Sequence, residues 1–173
     1  MQTASIALHD DPAQQFVLRL ADTCLIHSQR LAEWCGHAPV LEEDIALANM
    51  ALDLLGQARA LLTHAGAMGA SASGEVQGED QLAFLRDERE FRNVTLAELP
   101  RGDFAFAVLR NLLLASWLDH YWQRLATSCD VELAAIAGKA AKEARYHRQH
   151  AADWVVRLGD GSDESARRLC EAM

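Results

Sequence analysis

In AAKEARYHRQH, Ala140 to His150, a carboxylate and two imidazoles stand at Glu143, His147 and His150. If the segment is helical, their i, i+4, i+7 spacing places all three on one face, like half of a metal site. Helical di-iron carboxylate proteins use a different spacing, Glu-x-x-His, with the histidine three residues after the glutamate. Here the gap is four, and Ala144 stands three residues before His147. A second polar line, Asn49, Asp53 and Gln57, runs at i, i+4, i+8 through a largely apolar segment. The corresponding pair there reads Asp53-x-x-Gly56, without an imidazole. His27 stands alone on a third stripe, and Asp119 and His120 follow NLLLASWL, which holds no carboxylate.

These residues admit two readings. In one, Asp53, His27, Glu143, His147 and His150 meet and hold a metal, the smallest version being a single weakly bound ion at Glu143, His147 and His150. In the other, Asp53 is hydrogen-bonded to a basic side chain of a neighbouring helix and His147 is a satisfied core histidine, because an unpaired buried carboxylate is costly. Spacing favours the second reading, since a dinuclear site lacks several of its ligands.

The elements that must position them are long helices. Asp11-Pro12 reads as an N-cap with proline at the first helical position. The stripe Phe16, Leu20, Cys24, His27, Leu31, Trp34 follows at helical steps, and Gly36 and Pro39 end it. The second helix opens on Glu42, Glu43 and Asp44, suited to the positive end of a helix dipole, and runs to about Met68. Ile45, Leu47, Leu52, Leu54, Leu55, Leu61 and Leu62 surround it, so it is expected to be central and buried. A flexible linker is expected at about 70–80, then a short charged helix over DQLAFLRDEREF. Its RDERE reads as a solvated face, while Phe84 and Phe91 either dock on a neighbour or stay solvated. Asp103 and Asp130 can cap the third and fourth long helices, and Ser162 a further one still running at Met173. A single domain over 1–173, truncated after 173, is expected.

Composition agrees. The 173 residues are half hydrophobic, with three prolines, which suits an all-α protein. Sixteen basic residues against 25 acidic give −9, a balance that disfavours nucleic acid and anionic membranes as partners. No apolar run approaches a membrane span, Arg110 interrupting the richest, and MQTASIALHDDPAQQ lacks a signal peptide's pattern. Cys24, Cys35, Cys129 and Cys170 form no C-x-x-C pair, so buried reduced thiols and a cytoplasmic setting are expected. Nucleophile-elbow, P-loop and dinucleotide fingerprints are absent. Cys35 with His37 lies at a helix end with no orienting partner, and reads as a structural thiol.

Three blocks, RLAEWCGHAPVLEEDIALANMALDLLGQAR, LAFLRDEREFRN and AAIAGKAAKEARYH, resemble the PaaC-type structural family of bacterial phenylacetyl-CoA epoxidases, the ring-1,2-phenylacetyl-CoA monooxygenases. The resemblance extends over nearly the whole chain, and family members continue beyond Met173. It implies a ferritin-like bundle whose C-terminal part is missing here. It also implies a non-catalytic structural subunit of a di-iron monooxygenase in aerobic phenylacetate degradation. The iron would lie in the partner catalytic A subunit, and NADPH, flavin and iron–sulfur groups in the reductase component, with no cofactor in this chain. In the catalytic chains a fourth-helix motif like KEESFH supplies a glutamate and a histidine as ligands. Their equivalents here are Ala144 and His147, and those of the second-helix pair are Asp53 and Gly56. Expected partners are the A subunit and the other subunits, and a second copy when the chain is isolated. The competing expectation is a divergent metal-binding oxidase or oxygenase active alone. A third is a generic helical binding module, with no selective pairing to an oxygenase subunit.

Overall fold

A computed structural model describes Ile6, residues 11–73 and residues 76–173, leaving aside the side chains of 70–73. Most of MQTASIALHD and the middle of the expected linker, Gly74 and Glu75, lie outside the described residues. Seven α-helices and one 3₁₀ turn follow in order: α1 (Pro12–Ala32), α2 (Leu41–Ser73), α3 (Glu79–Phe84), the turn Glu88–Glu90, α4 (Thr95–Glu98), α5 (Phe104–Leu125), α6 (Val131–Gly159) and α7 (Asp163–Ala172). No strand occurs among the described residues.

Side-chain caps start the helices where short polar residues precede apolar periodicity. Asp11 accepts from the Ala13 and Gln14 N–H groups, Asp103 from Phe106, Asp130 from Leu133 and Ser162 from Ser165. Gly36 (φ 76°) and Gly102 (φ 67°) turn the chain after α1 and before α5 in backbone conformations that favour glycine.

α1 pairs with α2 and α5 with α6, and the two hairpins meet along α2 and α6. The segment between α2 and α5 crosses over the bundle, giving the ferritin-like arrangement of four long helices with one long connection. One buried cluster joins Leu18, Leu20, Leu31, Met50, Leu54, Leu61, Leu82, Leu118, Trp122 and Leu133. Aromatic contacts close both ends of the α1–α5 contact. Phe16 stacks on Tyr121 at 6.3 Å, and Trp34 meets Phe104 edge-on at 5.7 Å.

Several expectations change. The helix buried on nearly every side is α1, not α2. Asp22, Thr23, Cys24, Leu25, His27 and Ser28 are all buried, because the crossover covers the flank that would otherwise face water. α2 instead exposes Leu41, Ile45, Leu52 and Leu55. Its Leu41–Gly69 stretch is long and apolar enough by composition to cross a membrane, so such a run does exist. Its inner face packs on α1, where the Ser28 hydroxyl donates to the Ala51 carbonyl at 2.7 Å. α2 also continues to Ser73, through the first residues of the expected linker. The chain then returns close along α2: a Cβ on Gly66 would lie 1.9 Å from the Gln77 carbonyl, so only glycine admits it there.

RDERE is not simply a solvated face. Arg86 is buried, and its guanidinium grips Asp22 of α1 at 2.5 and 3.0 Å. Phe91 docks under that guanidinium, 4.3 Å from ring centre to Cζ, whereas Phe84 stays exposed. Of the four cysteines only Cys24 is buried; Cys35, Cys129 and Cys170 are exposed free thiols.

Candidate functional site at the bundle axis

The polar residues of the four long helices meet in two sets. On the α1–α5 side, His27 Nε2–H donates to Asn111 Oδ1 at 3.0 Å, and Asn111 Nδ2–H donates to Met50 Sδ at 3.5 Å. Burial pushes the His27 imidazole down to about 3, against the opposing help of Asn111, so it is neutral at physiological pH. Asn111 lies inside the apolar run of α5, where its type was a signal that a carboxylate-centred reading passes over.

On the α2–α6 side, Glu143, His147 and His150 of the AAKEARYHRQH face each lie against a different residue of α2. Gln57 Nε2–H donates to Glu143 Oε2 at 2.9 Å, and the Cys24 thiol contacts Gln57 Oε1 at 3.6 Å. His147 Nε2–H donates to Asp53 Oδ2 at 3.0 Å, and His150 Nε2 lies 2.9 Å from Glu43 Oε2. Farther along, His64 reaches Asp130, the cap of α6, at 2.7 Å. Burial lowers the His147 pKa, while the Asp53 hydrogen bond and charge raise it in part. Burial pushes the Cys24 thiol up, with the Asp22 and Glu143 charges adding to it, so it is no thiolate nucleophile.

Glu143, His147 and His150 therefore share a face yet turn to three different residues of α2. Among the described residues no group of three His, Cys, Asp or Glu side chains is placed to share a metal ion. Gly56 and Ala144 carry no donor atom, and Gly56 is exposed rather than directed at the axis. Asn49 is exposed as well. Asp119 is fully buried on α5, where Gln123 donates to it at 2.7 Å and Arg148 lies at 3.3 Å; His120 faces outward. Cys35 and His37 meet only through the Cys35 carbonyl, which accepts from His37 Nδ1 at 2.9 Å.

Two antiparallel helix hairpins closed around an axis to which each long helix offers polar side chains define a ferritin-like helical protein. More narrowly, the chain belongs to the phenylacetic acid catabolic protein family, whose model matches residues 1–173. It is 51% identical over 158 residues to the C subunit of the 1,2-phenylacetyl-CoA epoxidase of Escherichia coli (strain K12). That match takes in 91% of this chain and 62% of the relative, so the chain spans less than two thirds of that protein's length.

Proposed function

We propose that the chain is a non-catalytic structural subunit of a di-iron monooxygenase that epoxidises the ring of phenylacetyl-CoA, supporting the catalytic A subunit in the cytoplasm. The carrying observation is the Asp53–His147 hydrogen bond beside Gly56 and Ala144. At the four positions that resemble di-iron ligands, two side chains bind each other and two have no donor. The residues do not fit an iron pair, so the iron belongs to the partner subunit and this axis serves packing. The similarity to an epoxidase component supports the assignment to such a complex.

Elemental analysis of the purified chain is expected to find far less than one iron per chain. Co-expression with the A subunit is expected to give one complex on size exclusion. Two irons per chain, with oxygen consumption by the isolated protein, would instead mark an oxidase in its own right.

A further inference from the structure

The outer face of α2 has a pattern that the axis does not explain. Leu41, Ile45, Ala48, Leu52 and Leu55 follow at steps of four, three, four and three, the seam of a helix that packs along another helix. Leu41, Ile45 and Leu52 each leave more than half of their surface in water. The seam ends in a groove of about 620 Å³ at Leu55, lined also by Leu25, Ile26, Phe84 and Phe91. Phe84, at 78% exposure, stands on its rim. An apolar surface this continuous marks an interaction site more often than a solvated face.

We infer that this seam and groove are the docking surface for one long amphipathic helix of a different chain, with an apolar stripe flanked by lysine and arginine. The inference rests on the subunit reading above and names the surface it would use. The four-three spacing favours a helix, because it aligns the apolar side chains in a stripe along the axis of α2, the surface into which the knobs of a second helix pack. The groove suits a bulky anchor residue near that helix's end. Charge selects the partner. Glu88 and Glu98 line the groove and Glu42 is exposed next to Leu41, whereas Arg30 is engaged by Glu33 and Arg59 by Glu79. A second copy would bring these acids together, and a net charge of −9 on each chain would oppose it. A basic-flanked helix meets both features.

The test measures binding of the A subunit to the wild-type chain, to Ile45→Ser/Leu52→Ser, and to a control, Val131→Ser/Val156→Ser, which removes exposed apolar residues of α6. Ile45→Ser/Leu52→Ser is expected to bind at least ~10-fold more weakly, the loss expected when apolar anchors leave an interface, and the control to bind like wild type. Glu42→Lys/Glu88→Lys is expected to slow association and flatten its salt dependence. Hydroxyl-radical footprinting of the wild-type complex, which needs no variant to fold, is expected to protect Leu41, Leu52 and Phe84. Equal binding by Ile45→Ser/Leu52→Ser, with those residues unprotected, overturns the surface and leaves the subunit reading standing. A wild-type chain that does not bind the A subunit overturns both. A wild-type dimer that Ile45→Ser/Leu52→Ser dissolves would assign the seam to a second copy and overturn the partner.

Discussion

Two aspartates on paired helices meet cationic or imidazole partners in opposite settings. Asp22 of α1 is wholly buried and held by an equally buried Arg86 from the crossover. Asp53 of α2 meets a buried His147, but its own side chain is 40% exposed. Removing a partner from the first leaves a charge with no water to receive it. Removing one from the second returns a carboxylate to solvent. An aspartate thus serves in a latch in one place and in a wet packing contact in the other.

The largest effect is expected at the latch. Arg86→Ala should cost about 3–5 kcal/mol, read from the urea midpoint, because it strands the Asp22 carboxylate. Asp22→Leu/Arg86→Met should recover much of that loss. A single variant within about 1 kcal/mol of wild type, on the order of a surface pair, would erase the contrast.

An intermediate effect comes from the buried imidazoles. His27 protonates near 6.5 when unfolded but only near 3 when folded, so the unfolded chain binds the extra proton. Its contribution is whole above about pH 6.5 and is lost as pH falls toward 3. His147, also shifted down, acts in the same direction. Between pH 6.5 and 5 the His27 share is about 2 kcal/mol, at about 1.4 kcal/mol per pH unit. His27→Gln, with urea midpoints measured at both values, should flatten the profile by about that amount. An unchanged slope would mean that the imidazole is not held neutral.

The smallest effect is expected at Asp53. Asp53→Asn should cost less than about 1 kcal/mol, since solvent reaches the Asp53 carboxylate and an amide oxygen can still accept from His147. A loss as large as that of Arg86→Ala would show that the two settings are equivalent.

These contrasts set the limits of what the chain discloses before folding. Caps at Asp11, Asp103, Asp130 and Ser162 were legible because capping is local chemistry. That Asp53 and His147 each need a polar partner was legible too, because both interrupt apolar stripes, but their bond to each other was not. The burial of α1 was not. Asp22 and Thr23 look like a solvent face by periodicity, and only a segment some seventy residues away covers them. Hydropathy alone put α2 at the centre, because an exposed apolar seam and a core face have the same composition. Arg110 was noticed as an interruption, but its role needs the fold. It is buried and donates to the Leu99 and Pro100 carbonyls at 2.6 and 2.9 Å, and burial draws its pKa down to about 10.

The latch involves more than one pair. Asp22 also accepts the Arg92 backbone N–H at 2.8 Å, and Thr23 Oγ1 accepts that of Val94 at 3.2 Å. Irregular chain usually opens independently of the helices it crosses, and its amides exchange with solvent early. Here those two amides can be released only when the flank of α1 is uncovered. Hydrogen exchange at the Arg92 and Val94 amides is therefore expected to follow the opening of that flank of α1 rather than the early exchange of free irregular chain.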